Sequence, residues 1–377
     1  MSSNHIEDTH VLIIRAGITS LLLAQGLKKH GIKVSIFETE RSAAEHRPGE
    51  WAMGLHWALP QLQSLLPDIR LRTNTTQPDP DFVAKDTDTF SLYNGETGEP
   101  LKLLTIGGMR RFSRTKLRVL ISEGIEVRYG KTLSSISYGN EESRTSAHFA
   151  DGTSVRRDAL IGADGPRSKV RDLVVGEGRS EASPAGVVVA IVRSKYTAEQ
   201  ALKLRQHASL TSVAFHPNGP YTAIFGQDFQ SSEPENWEFQ TMHSSMPKDF
   251  KGSDSDKLRL LKSRAAEYVG IWKNAFHRVD FDNKGGRATL AGDAAHPMTP
   301  QRGQGLNYAI CDVANLVAAL TKAQKGELSL NDAVREYDAE MLKRGGNEVQ
   351  EALLNAKMIH DWNSILQSPS MTSVSVQ

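Results

Sequence analysis

Three clusters in this chain combine residue types and spacings suited to holding a nucleotide-like ligand. The first is the stretch VLIIRAGITS at residues 11–20, which runs on into an Ala/Leu-rich segment and then KVSIFE. An apolar strand, a tight turn, a helix and a second strand closed by an acid form the layout of a dinucleotide-binding βαβ unit. In such a unit the central glycine lets the backbone approach a pyrophosphate, the helix N-terminus offers free N–H groups, and the acid accepts ribose hydroxyls. Gly17 and Glu38 supply the glycine and the acid. The other two glycines of GxGxxG are replaced by Arg15 and Ser20. A side chain at 15 imposes a strained turn costing on the order of 1–3 kcal/mol, whereas a guanidinium beside two phosphates returns roughly 1.5–3 kcal/mol. The magnitudes overlap, so the sign of the Arg15 effect stays open. Ser20 is the smaller departure, its hydroxyl expected to bond back along the helix.

The second cluster is LIGADGPRSKVRD, where Asp164 and Gly165 follow an apolar strand and Arg167, Ser168 and Arg171 stand behind them. Asp-Gly alone is a common turn. The third is LAGDAAHPMTPQRGQGLNYAICDVANL, in which Asp293 ends a strand and Pro300, Gly303, Gly305, Leu306 and Asn307 lead into an apolar helix. Small and rigid residues before a helix N-terminus let backbone amides come close to a flat or anionic ligand. His56 and His296 are candidate proton carriers, although a histidine in an apolar stretch more often serves in packing or hydrogen bonding. His296, followed by Pro297, is assigned a structural role. Trp57 either walls a cavity or belongs to the core.

These residues need elements to position them. A helix over Leu21–His30 closes at Gly31, which suits a helix C-terminus. Residues 131–165 read as short strands around Asn140-Glu141 and Asp151-Gly152 turns, ending in an apolar strand at 159–162. Between Val187 and Ser245, segments rich in β-branched and aromatic residues predict a second, mainly antiparallel sheet. Residues 255–274 carry helical spacing, and 288–295 return to a buried strand followed by a helix from about Gly303. The chain therefore revisits its first domain. From Leu330 a long amphipathic stretch, interrupted only by Gly345-Gly346, predicts C-terminal helices, with a frayed polar tail.

Composition narrows the function class. At 377 residues the chain can bury a large core, and with 39% apolar residues, 24% charged and a net charge of +1 it has neither a disordered bias nor a bulk charge favouring nucleic acid or anionic membrane. The single cysteine, Cys311, excludes intrachain disulfides and Cys-rich metal sites and is expected as a packed helix residue. No apolar window reaches a membrane span and the first residues lack an apolar leader, so a cytoplasmic protein with small-molecule partners is expected.

Taken together, the clusters resemble the para-hydroxybenzoate hydroxylase-like FAD monooxygenases, particularly their short fungal branch. The resemblance runs from VLII to MIHDW. It implies an α/β fold: a Rossmann-like FAD-binding domain (1–75, 106–178 and 286–325) interleaved with a mainly antiparallel substrate domain (76–105 and 179–285), then C-terminal helices (326–377). It implies that Glu38 binds the adenosine ribose, that Arg114 in RFSRTKLRVLI and Arg47 contact the cofactor, that Asp164 serves both FAD and the nicotinamide coenzyme, that Asp293 contacts the flavin-side ribose, and that Pro300 to Asn307 lie against the isoalloxazine. The reaction implied uses NADPH or NADH to reduce FAD, then O₂ to oxygenate a small organic substrate, with few side chains acting as catalysts. The replacements at 15 and 20 leave a rival expectation, a flavoprotein-derived cyclase, isomerase or binding protein that no longer oxidises. A dehydrogenase using nicotinamide alone lacks a use for the Asp164 and Asp293 clusters.

Overall fold

The near-continuous apolar run HVLII forms the strand His10–Ile14, with Val11, Leu12 and Ile13 fully buried, as a strand covered on both faces must be. The computed structural model describes residues 9–45, 51–66, 76–83, 85–139, 144–176, 178–207, 211–246, 269–275 (backbone) and 281–372. His10–Ile14 pairs in parallel with Lys33–Phe37 on one side and Ala159–Gly162 on the other. Ala288–Leu290 and Val127–Arg128 complete a five-stranded parallel sheet at its two edges.

The helix Ile18–Lys29 follows the first strand directly, buries Leu21, Leu22, Leu23 and Leu27, and ends before Gly31 at φ +75°. Gly26 lets the Gly305–Gln324 helix come close, since a Cβ there would stand 2.7 Å from a Val317 methyl. Pairing strands from early, middle and late sequence leaves no room for a chain of domains in series.

A seven-stranded sheet carries the second core. Its order is Val269–Ala275, Ser183–Ser194, Glu238–Ser245, Tyr221–Asp228, Thr211–Phe215, Thr87–Asn94 and Pro100–Gly107, antiparallel except where Thr211–Phe215 meets Thr87–Asn94. The helical expectation over 255–274 fails at its end, because Val269–Ala275 is a strand; VGIWKNA is apolar enough to satisfy either period, and pairing with Ser183–Ser194 selects the extended form. Residues 255–268 and the Asn140-Glu141 turn lie outside the described residues.

Two small sheets link these bodies. Leu133–Tyr138, Thr145–Phe149 and Ser154–Arg157 form an antiparallel three-stranded sheet with its Gly152 turn at φ +82°. Ala52–Leu55 pairs with Arg110–Ser113 in a ribbon that places Gly54 opposite Arg111. The helix Leu330–Met358 runs unbroken through Gly345-Gly346, correcting the expected interruption, and Pro369–Thr372 of the tail form a helical turn. Among the described residues no helix is long and apolar enough to cross a membrane.

Candidate active site

Arg15 leaves the first strand at φ +80°, in the left-handed region, so the turn that glycine ordinarily makes is made here by arginine. Its guanidinium Nη1 lies 3.5 Å from Glu38 Oε1. Gly17, the N-cap of Ile18–Lys29, has extended backbone that any residue could adopt; what it supplies is space, because a Cβ there would meet no atom within 4 Å. The helix has no side-chain cap and no acid in its first turn, which leaves backbone N–H groups facing that space. Glu38 is fully buried, its carboxylate accepting from the N–H of Ala16 at 2.7 Å and of Glu40 at 3.1 Å. Arg118 completes the brace, donating to the Ala16 carbonyl at 2.9 Å and the Glu40 carboxylate at 2.7 Å. Its position one helical turn after Arg114 was the available sequence signal. Ser20 does not bond back along its helix: buried against the neighbouring strand end, its hydroxyl faces the Ala163 carbonyl at 3.4 Å.

Asp164 turns its carboxylate onto the helix Lys169–Val175, accepting from the Ser168 hydroxyl and from the N–H groups of Lys169 at 2.7 Å and Val170 at 3.1 Å. Burial pushes its carboxyl above the ordinary range against those bonds. Arg171, buried beneath, donates to the carbonyls of Pro166, Ser180 and Ala294, so one guanidinium ties the Asp164 turn to the Asp293 turn.

Asp293 sits in the turn Gly292–Ala294, half-buried and with no hydrogen-bond partner among the described residues. Burial raises its carboxyl, with Asp312 adding to the shift and His296 and Arg171 opposing it. Across from it Gly303 holds φ +64° and Gly305 begins the helix Gly305–Gln324, again without a side-chain cap or an acid in the first turn. A methyl at Gly305 would lie 3.8 Å from Asp293 Oδ1. Pro300 opens the short Pro300–Arg302 turn before it, and Leu306 is buried behind it.

Asn307 is fully buried, and its side chain is a clamp. Oδ1 accepts from the N–H of His56 at 2.9 Å, while Nδ2 donates to the Gly54 carbonyl at 3.2 Å, fastening the Ala52–Leu55 ribbon to the helix. The amide is thereby engaged, so contact with a ligand from residue 307 falls to its backbone. The His56 ring stands between Gly54 and Gly303, and burial, then the Arg111 charge, lowers its pKa, keeping it neutral near pH 7. Trp57 is outside the core, 43% exposed, its indole N–H donating to Gln304 at 2.9 Å and its ring edge-on to Tyr308. Arg114, the first residue of Arg114–Ser122, lies 4.0 Å over the Trp51 ring. Arg47 lies outside the described residues.

Residues 114–352 match the FAD binding domain model, more than half of the chain. The chain is 37% identical to the FAD-dependent monooxygenase phnB of Penicillium herquei, over 96% of this chain and 93% of that one. It is 31% identical to the FAD-dependent monooxygenase cctM of Talaromyces islandicus, over 96% of each. The chain belongs to the FAD-dependent monooxygenases. The fold of this monooxygenase also resembles that of Klebsiella pneumoniae HpxO, solved with FAD and uric acid, at a TM-score of 0.74 and 19% identity over 97% of this chain and 92% of that one.

The residues of the monooxygenase fit FAD. Two uncapped helix N-termini face space that side chains at Gly17 would occupy or that the Gly303–Gly305 turn leaves open, as an anionic and flat ligand requires. Glu38 stands at the end of the second strand, where the acid of a dinucleotide-binding unit belongs. The half-buried Asp293 carboxylate accepts no hydrogen bond from the described residues and is open to a hydroxyl donor.

Beneath that turn the monooxygenase buries an ion cluster. His296 Nε2 lies 2.7 Å from Asp312 Oδ2, which also accepts from the Gly292 N–H, and Asp312 Oδ1 accepts from Arg344 at 2.7 Å. The structural role expected of His296 is the one observed. Cys311 is half-buried within the same helix, and burial raises its thiol pKa, against the reactivity of a nucleophile.

Proposed function

We propose that the protein uses NADPH or NADH and O₂ to hydroxylate or epoxidise an aromatic, indolic or polyketide-like small molecule in secondary-metabolite biosynthesis. The observation that carries this is the unpartnered Asp293 carboxylate beside the open Gly303–Gly305 turn, together with membership of the FAD-dependent monooxygenases. FAD, when bound, supplies the electron transfer and oxygen activation. The chain's part is to hold and orient: Glu38 accepts hydroxyls of the adenosine ribose, Gly17 and the Ile18–Lys29 N-terminus take the pyrophosphate, Asp293 accepts on the flavin-side ribose, and Pro300–Asn307 present backbone to the ring. Arg114, Arg47 and Asp164 complete the cofactor contacts, Asp164 by shaping its turn. His56, neutral and wedged between Gly54 and Gly303, limits water at that end of the site.

A second reading, a non-redox cyclase, isomerase or binding protein with weakened FAD affinity, draws on the Arg15–Glu38 pair, which engages the ribose acid from within the chain. Flavin content after purification and NAD(P)H oxidation separate the two. A yellow protein whose slow NAD(P)H oxidation quickens with aromatic compounds supports the monooxygenase; bound flavin with no oxygen consumption across a broad panel supports the alternative.

A further inference from the structure

Gly292 enters the Asp293 turn at φ +64°, and a Cβ there would stand 2.8 Å from Thr19 Oγ1 and 3.4 Å from the Ala309 methyl. The turn is therefore pressed between Ile18–Lys29 and Gly305–Gln324, the two helices whose N-terminal ends fit FAD. The Asp293 carboxylate accepts no hydrogen bond from the described residues, so what holds it in place must come from its neighbours.

Asp312 supplies that hold. Fully buried, its Oδ2 accepts from the Gly292 N–H at 2.7 Å and lies 2.7 Å from His296 Nε2, so one oxygen grips the chain on both sides of Asp293. Its Oδ1 accepts from Arg344 at 2.7 Å, and Arg344 is steadied by Glu340, one helical turn earlier, at 2.6 and 2.9 Å. The same helix, Leu330–Met358, sends the Tyr337 hydroxyl to the Leu290 carbonyl at 2.8 Å, at the end of the strand that leads into the turn. Arg111 and Arg171, at 7% and 3% exposure, donate to backbone carbonyls, whereas Arg344 spends its charge on a carboxylate closed off from water. That charge matters to Asp293 as well. Burial, then Asp312, raises the Asp293 pKa, while His296 and Arg171 oppose the rise. Without Arg344 the Asp312 charge would be less compensated and the Gly292 end of the turn less firmly held. Either change weakens Asp293 as an acceptor of hydroxyl groups.

We propose that Arg344 is a positioning residue for FAD, acting through Asp312 to hold the Gly292–His296 turn and the Asp293 carboxylate where the flavin-side ribose needs them. This rests on the proposed function for the role of Asp293. FAD is titrated into the apoproteins of the natural chain, Arg344→Gln, Asp293→Ala and the double variant, with urea denaturation alongside. Arg344→Gln keeps a hydrogen-bond donor and loses the charge; it should raise the FAD Kd about tenfold in the natural chain and less than about twofold in the Asp293→Ala background. Arg344→Lys keeps the charge and loses the planar fork, and should raise it about threefold. A lowered urea midpoint with unchanged FAD affinity overturns the proposal, leaving Arg344 a packing residue of its helix. An equal loss in both backgrounds overturns it too, because the arginine would then act on the fold at large. If Arg344→Gln does not fold, the same comparison with Arg344→Lys decides: a loss confined to chains that keep Asp293 is expected, and no loss, or an equal one in both, overturns the proposal. Should Asp293→Ala bind FAD as the natural chain does, the ribose assignment falls and the route through Asp293 with it; weakened binding in Asp293→Ala without any effect at Arg344 removes this inference alone.

Discussion

Arg15 points its guanidinium at Glu38, 3.5 Å from Oε1, and holds φ +80° to do so. The arginine in place of the turn's first glycine and the acid proposed to bind the ribose are thus partners. The left-handed conformation costs roughly 1–2 kcal/mol for an L-residue, and a pair with a 40% exposed arginine returns only about 0–1 kcal/mol after solvent screening. The balance favours glycine. Arg15→Gly should raise both the thermal midpoint of the apoprotein and the flavin carried per chain after purification. Less flavin in the variant would mean that the arginine serves the phosphates and that the strain matters less than that contact.

Asp293→Ala and Glu38→Ala should each weaken FAD binding by about 10- to 100-fold, the equivalent of one charge-assisted hydrogen bond. Their apoproteins should differ. Glu38 accepts from two backbone N–H groups that its loss would strand, at a cost of roughly 1–3 kcal/mol. Asp293 accepts from none, so its replacement should leave urea stability unchanged or improved. FAD titration and urea denaturation of both variants check the pair of statements, and unchanged FAD affinity in both would remove the site assignment.

Gly345→Ala should destabilise although alanine is the better helix former by about 0.5–1 kcal/mol. A Cβ at 345 would stand 2.7 Å from His296 Cγ, and that ring is fixed by Asp312 and cannot withdraw. Overpacking of this kind costs typically 1–3 kcal/mol. The measurement is the urea midpoint; a gain would show that the histidine moves freely.

The His296–Asp312 pair gives stability a pH dependence of known sign. Burial opposes the imidazolium, but the charge and hydrogen bond of Asp312 outweigh it and raise the pKa above 6.5. Burial likewise opposes the Asp312 carboxylate, and His296 and Arg344 outweigh it and lower the pKa below 3.8. The raised histidine contributes fully below 6.5 and loses its contribution as pH climbs through the folded value. The lowered aspartate contributes above 3.8 and loses it as pH falls through its own. The stability gap between the natural protein and His296→Gln should therefore be widest between pH 3.8 and 6.5 and narrow as pH rises through the folded histidine value. A gap that widens with pH would show the pair to be uncharged.

Much of this was readable from the residues. VLII, LIG and ATL read as short buried strands and form them, and the acids and glycines after them stand at the strand ends, as the reading of a nucleotide site requires. What pattern does not disclose is where a polar side chain turns. Asp164 and Asn307 stand in the expected clusters, yet their oxygens go to a helix end and a backbone ribbon, a choice made by neighbours distant in sequence. VGIWKNA satisfies a helix and a strand alike until its partner strand is present. Gly345 looks like a helix breaker on propensity alone, and only the buried His296 ring against it explains why a glycine stands within a continuous helix. Arg111, one of several arginines in MRRFSR, carries no mark of its burial.

One edge strand of the parallel sheet, Ala288–Leu290, pairs with Ala159–Gly162 only after five of the seven strands of the large antiparallel sheet have been synthesised between them. During translation the nucleotide half therefore waits with an unzipped edge and an apolar flank, and Asp293 arrives with the strand that closes it. Long-range closure of this kind makes folding slow and leaves intermediates prone to aggregation. A ligand that bridges Glu38 and Asp293 would join an early-made and a late-made part of the fold, acting as its latch as well as its reagent.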